Sequence, residues 1–81
     1  MRKIAYPALF KSTEEGIDVT FPDIFGGVTC GEDRDDALLM AKDLLRLMLK
    51  EAPAQCEIPK SVEETKKLFP DDEVVLIEVE L

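Results

Sequence analysis

The sequence contains no histidine, so any catalysis would fall on carboxylates, lysines, Tyr6 or one of two thiols. The densest group of candidates is acidic: Asp18 and Asp23, followed by Glu32, Asp33, Asp35 and Asp36. Carboxylates in such number could hold a divalent cation for phosphoryl transfer. Each has an ordinary structural reason for its place, however. Asp18 alternates with apolar neighbours, Asp23 follows Pro22 in a turn, and Asp33 to Asp36 stand where a helix begins, an end whose dipole favours negative charge. Cys30 has no imidazole to activate it, which favours a buried structural cysteine. Gly26, Gly27 and Gly31 lack the lysine and hydroxyl of a phosphate loop and the spacing of a dinucleotide fingerprint; they read as turn residues. The expectation is no catalytic residue, no metal and no cofactor.

The elements that position these residues follow from periodicity. Ile4, Tyr6, Ala8 and Phe10 alternate with Ala5, Pro7 and Leu9 in a first strand over residues 4–10, apolar on both faces. Pro7 cannot donate to a ladder, which points to an edge, a bulge or a place where pairing is interrupted. Glu14-Glu15-Gly16 signals a turn, and Ile17, Val19 and Phe21 then alternate with Asp18 and Thr20 in a half-buried second strand. Gly26-Gly27 supplies the freedom for a reversal into a short third strand over residues 28–30. Asp33 can cap a helix running over residues 34–51, with Asp36 standing in for the usual capping-box glutamate. Leu38, Ala41, Leu45, Met48 and Leu49 recur at helical spacing, and Leu44 and Leu47 widen the stripe beyond what one sheet face needs.

Pro53 and Pro59 bracket an irregular connection, and Ser61-Val62-Glu63-Glu64 is a capping box that opens a short helix ending before Pro70. Residues 73–81 form the last strand, with Val75, Ile77, Val79 and Leu81 on one face. The fold class is α+β with element order β-β-β-α-α-β. A meander followed by a right-handed crossover gives a four-stranded mixed sheet of order 3-2-1-4, the last strand parallel to the first, with the long helix packed on one face. The other face is left short of cover.

A chain of 81 residues buries only about 60–65% of the surface its unfolded form exposes, a thin core that self-association would help. The net charge of −8 is offset by no basic cluster, which argues against direct nucleic-acid binding and suits a protein that covers a basic partner. Cys30 and Cys56 are too few for a disulfide framework and read as reduced thiols in the cytoplasm. Met1-Arg2-Lys3 precedes an apolar stretch that Pro7 and Lys11 interrupt, so neither a signal peptide nor a membrane span is expected.

Tyr6-Pro7-Ala8-Leu9-Phe10, Phe21-Pro22-Asp23-Ile24, Gly26-Gly27-Val28-Thr29-Cys30-Gly31, Asp36-Ala37-Leu38 and Ala41-Lys42 together resemble the N-terminal domain of the HicB-like antitoxin family. The resemblance implies a partial ribonuclease-H-like sheet without nuclease residues. It also implies a HicA-like toxin partner, a small basic messenger-RNA-cleaving protein, and a role as the antitoxin that neutralises it. Many members add a C-terminal DNA-binding segment; the expectation here is one domain over residues 1–81 without it. Ile24-Phe25-Gly26-Gly27 departs from the Leu-Pro-Gly-Cys-like turn common in the family, leaving Phe25 either exposed at a loop tip or packed under the helix. An inhibitor of a basic RNA-binding surface presents carboxylates around an apolar centre. Asp23 and Phe25, with Glu32, Asp33 and Asp35 at a helix start expected nearby, are the candidate partner-binding residues, and a homodimer or higher homo-oligomer is expected. A solitary scaffold and a carboxylate-metal nuclease are the alternatives.

Overall fold

The computed structural model describes residues 2–81. Strand β1 (Lys3–Thr13) turns through Glu14 and Glu15 into β2 (Gly16–Thr20), and a compact loop leads to β3 (Val28–Gly31). Helix α1 (Arg34–Glu51), one 3-10 turn at Pro53–Gln55, α2 (Val62–Leu68) and β4 (Glu73–Glu80) complete the order. The sheet order is β3-β2-β1-β4, as the alternation of the strands predicts.

The direction of the last strand corrects the expected mixed sheet. β4 runs antiparallel to β1, with Lys3 opposite Glu80 and Phe10 opposite Glu73, so every pairing in the sheet is antiparallel. A single crossover by α1 would have delivered a parallel strand. Instead α1 descends to the Lys3 end of the sheet, and residues 52–69 climb back before β4 begins. The connection has two legs, and the second reverses the strand.

Pro7 is tolerated because of where β2 stops. β2 pairs with β1 only from Leu9 to Thr13, so beside Pro7 the inner strand has a neighbour on the β4 side alone, and the missing N–H interrupts no β1–β2 bond. Tyr6, Ala8 and Phe10 of β1, Val19 of β2 and Ile77 and Val79 of β4 are buried on one sheet face. Ala37, Ala41 and Leu45 of α1 close over them. The small side chains of the helix permit a close approach: a Cβ on Gly31 would overlap the backbone of Ala37, so only glycine fits at the end of β3.

The start of α1 is capped as its sequence predicts, with one adjustment. The Asp36 amide donates to Asp33 Oδ1 at 2.8 Å, while Asp36 Oδ2 accepts the amide of Glu32 at 2.9 Å. The short aspartate thus serves the residue before the cap. Helix α2 carries the full reciprocal box between Ser61 and Glu64.

Arg34 joins the first turn of α1 to the first residue of β4. Its guanidinium donates from Nη1 and Nη2 to the two oxygens of Glu73 at 2.9 and 2.6 Å and lies over the Phe10 ring, 5.6 Å from its centroid. At the other end Leu47 adjoins Leu81, so α1 follows β4 along its length on one face. Helix α2 also packs on β4, and on the opposite face Pro7 is fully buried. The second face is therefore partly covered.

The bidentate hydrogen bonds from Arg34 hold the Glu73 carboxyl below its ordinary range. A carboxylate with a depressed folded-state pKa stabilises the fold above its unfolded pKa, about 4.3, and loses that contribution as pH falls through the folded value. Thermal melts of wild type and Glu73→Gln will therefore differ at neutral pH and converge below about pH 4; a difference that persists in acid would show another cause.

Candidate functional site

The loop between β2 and β3 closes on itself by backbone bonds. The amides of Phe21 and Gly27 donate to the carbonyls of Gly27 and Ile24 at 2.7 and 3.0 Å, and Gly26 takes a φ of 80° that glycine supplies without strain. Ile24 turns inward and is buried. It forms a bridge with Cys56, and around this bridge the Phe25 amide donates to the Gln55 carbonyl and the Glu57 amide to the Asp23 carbonyl, both at 2.9 Å. Tyr6 donates its hydroxyl to the Glu57 carbonyl at 2.6 Å. Residues 55–60 are thereby stitched to the loop.

Asp23 completes the seam. Its side chain is 0% exposed, and its oxygens accept the Lys60 ammonium at 2.7 Å and the Lys60 backbone amide at 3.0 Å. This corrects the expectation that Asp23 presents a carboxylate to a partner: the group lies inside, bound to this chain's own lysine. Hydrogen bonding and attraction to Asp23 raise the Lys60 pKa, so the ammonium stays charged at every physiological pH.

With Asp23 and Ile24 turned in, Phe25 is turned out and is 79% exposed, which decides between the two readings of this residue. Ile58, on the stitched segment, is 90% exposed. Beside it lies a shallow groove of about 300 Å³ whose apolar walls include Ile4, Leu49, Pro53 and Pro59, with Arg2 and Glu57 among its polar groups. Ile58 is the residue that sequence reasoning passes over. It stands in a stretch without periodicity, and the only available signal was an aliphatic side chain with no strand or helix to bury it.

Glu32, Asp33 and Asp35 are exposed at the start of α1. They lie near one another but not near Phe25, contrary to the expected single patch. Phe25 is bonded to Gln55, just beyond the C-terminus of α1, and the acidic group surrounds its N-terminus, so the two lie towards opposite ends of an 18-residue helix. The candidate surface is thus two surfaces, an apolar one with Phe25 and Ile58 and an acidic one with Glu32, Asp33 and Asp35.

The shifted groups around the seam all keep their ordinary neutral-pH forms. Burial raises the Tyr6 hydroxyl, helped by the nearness of Cys56 and Asp23, and burial raises the Cys56 thiol. A tyrosine held as a donor and a cysteine held as a thiol are structural groups, not activated nucleophiles. Both cysteines are free, and Cys30 is exposed at the end of β3, which corrects the expectation that it is buried. Among the described residues no group of three or more acidic or cysteine side chains is placed to hold a metal ion, and no helix is long and apolar enough to cross a membrane.

The fold and the two surfaces can be set beside known proteins. A chain of a solved structure described as the HicA3 and HicB3 toxin-antitoxin complex superposes with a TM-score of 0.71 over 95% of this chain and 96% of that one, at 23% identity; the two chains share a fold. In sequence, Antitoxin HicB 2 of Photorhabdus laumondii subsp. laumondii is 43% identical over 44 residues, which is 54% of this chain and 32% of that protein. The chain is thus HicB-like in sequence over that stretch, and the match spans about a third of the relative's length. No protein-family model matches.

The seam gives a direct test. Asp23→Ala leaves the Lys60 amide without its acceptor and deletes a charge-assisted bond, and will lower stability by about 2–3 kcal/mol in denaturant titrations. Tyr6→Phe, which removes one hydrogen bond to the same segment, will cost about 1 kcal/mol. An Asp23→Ala variant as stable as wild type would mean that the seam is not needed to hold residues 55–60.

Proposed function

We propose that this chain is the antitoxin of a HicA/HicB-type pair: it binds a small basic messenger-RNA-cleaving toxin and neutralises it, without catalytic activity of its own. The observation that carries the reading is the coincidence of two likenesses, one of fold to a chain of a toxin–antitoxin complex and one of sequence to an antitoxin. Its sheet then serves as a partial ribonuclease-H-like scaffold for binding. The site in the cytoplasm suits an exposed free thiol at Cys30, which an oxidising compartment would endanger.

Physical properties support the reading independently. The net charge of −8 attracts a basic partner from a distance and repels RNA. Glu32, Asp33 and Asp35 supply the carboxylates that would meet toxin lysines and arginines. Phe25 supplies an aromatic anchor of the kind that dominates interface energies when buried by a partner, and Ile58 extends it. Because the two surfaces stand at opposite ends of α1, they would act on different steps. The acidic end steers encounter, and the apolar end sets how long the complex lasts. Self-association of the chain belongs to the same reading, since a thin core leaves apolar surface bare.

Surface-immobilised kinetics against the small basic protein encoded beside this gene, across a salt series, will test the reading. Reversing Asp33 and Asp35 to lysine should slow association roughly tenfold and flatten its salt dependence. Phe25→Ala should leave association nearly unchanged and shorten the lifetime by roughly thirtyfold, about 2 kcal/mol. Absence of such a neighbour, or of binding to it, favours the solitary scaffold. The pure protein should leave RNA intact with magnesium or manganese; cleavage would restore the nuclease alternative.

A further inference from the structure

β4 is an edge strand of the sheet, and its hydrogen-bonding phase follows from the step just beyond its end. The amides of Arg2 and Leu81 each donate to the other's carbonyl, at 3.3 and 2.9 Å, next to the Lys3–Glu80 pair. Bonded and non-bonded pairs alternate along an antiparallel ladder. Glu73, Val75, Ile77 and Val79 therefore bond to β1, while Val74, Leu76, Glu78 and Glu80 turn their N–H and C=O groups away from it. Pro7 stands opposite Leu76, a non-bonded position, where its missing N–H leaves the ladder whole. Among the described residues no other backbone group bonds to these four. The far edge offers less. By the same alternation from the Phe21–Gly27 bond, β3 directs only Val28 and Cys30 outward, and the Val28 amide already donates to the Gly26 carbonyl at 3.0 Å.

We propose that the open edge of β4 takes up an extended segment of another protein as a further strand, and that this segment is basic on one face. Four residues with outward N–H and C=O groups in phase supply the main-chain bonds for such an addition. Their side chains supply the selection. They share the face opposite the buried Ile77 and Val79, with Val74 and the 52% exposed Leu76 towards one end and the exposed Glu78 and Glu80 at the other. Lys3 lies opposite Glu80, but Glu78 faces Ala5, and neither carboxylate is in an ion pair among the described residues. Glu73 is held by Arg34, and Arg2 lines the groove beside Ile4. Near Leu81 on the helix side, Asp43, Arg46 and Lys50 are mixed in sign, with Asp43 and Arg46 paired. Selection therefore falls to Glu78 and Glu80. Opposite charges set across from each other stabilise a strand pair, and like charges destabilise it. The edge thus selects lysine or arginine opposite Glu78 and Glu80 and an aliphatic residue opposite Leu76. This inference does not depend on the antitoxin reading.

The probe is the heptapeptide acetyl-Lys-Thr-Lys-Thr-Leu-Thr-Val-amide, which laid antiparallel sets its lysines opposite Glu80 and Glu78 and its leucine opposite Leu76. Nuclear magnetic resonance on the isotope-labelled full chain will show the Leu76 and Glu78 amides exchanging with solvent roughly tenfold more slowly at saturating peptide. Ile77 and Val79, already bonded to β1, will change little. An analogue with glutamate in place of both lysines will bind roughly tenfold more weakly. Glu78→Pro deletes one outward donor without touching the β1 ladder and will abolish the protection. Glu78→Ala, which keeps the donor, will weaken binding about threefold, and Glu78→Lys will make the glutamate analogue the better ligand. Circular dichroism will show the variants folded, and the comparison of the two peptides on wild type decides independently of how any variant folds. No protection at any peptide concentration, or protection of Phe25 or Ile58 instead, would overturn the proposal. So would protection already present without peptide, the mark of a second copy on the edge, equal binding of the two peptides, or a folded Glu78→Pro variant that binds as wild type does.

Discussion

One buried carboxylate decides how this chain is arranged. Asp23 is withdrawn from water, a loss that only close partners can offset, and its partners are the backbone and the side chain of Lys60, 37 residues further on. That requirement fixes residues 55–60 against the loop after β2. The neighbouring bonds then fall into place: Phe25 to Gln55, Glu57 to Asp23, and Tyr6 to Glu57. With the segment held there, the chain leaving α1 cannot cross directly to a parallel strand. It must return through α2, and β4 enters the sheet antiparallel. The same constraint turns Ile24 inward and therefore Phe25 outward, so the apolar surface is a consequence of the seam.

Much of this was legible in the residues themselves. The two-residue alternation of Ile17, Val19 and Phe21 and of Val75, Ile77 and Val79 locates strands, and the recurrence of Ala37, Ala41 and Leu45 locates the buried stripe of α1, because local periodicity reports directly on which face is covered. Caps are equally local, and Asp33 and Ser61 start their helices as read. The direction of β4 was not legible. It depends on contacts between groups 34 and 37 residues apart, several of them backbone amides and carbonyls that every sequence possesses. For the same reason Asp23 reads as a solvated turn residue until Lys60 is seen beside it, and Ile58 reads as nothing because no period includes it. The likeness of residues 6–42 to antitoxins was visible from motif order, but the separation of Phe25 from Glu32, Asp33 and Asp35 was not, since motif order does not give distances.

The two ends of α1 consequently have different work. At its start a capped, acidic turn is locked to β4 through Arg34 and Glu73 and leaves Glu32, Asp33 and Asp35 in solvent. Beyond its end the backbone is bonded to the loop and exposes aromatic and aliphatic groups. A rigid helix holds these two surfaces at a constant separation, so a partner that engaged both would have to match a length as well as a chemistry.

The pairing of Lys3 with Glu80 bears on how the domain comes into being. β1 is one of the two inner strands, yet one of its two neighbours is β4, encoded some seventy residues later, and the closure of so long a loop must precede any return from that pairing. Before it forms, Tyr6 and Ala8 lack Ile77 and Val79 on their flank, and α1 has only a three-stranded meander to cover. The contacts of such an intermediate are close in sequence, whereas those of β4 are not, which makes the pairing of β4 the slow step. The antiparallel return of β4 therefore acts as a closing step: the sheet is complete, and the surfaces at the two ends of α1 acquire their fixed spacing, only when the strand that ends beside Arg2 has paired with β1.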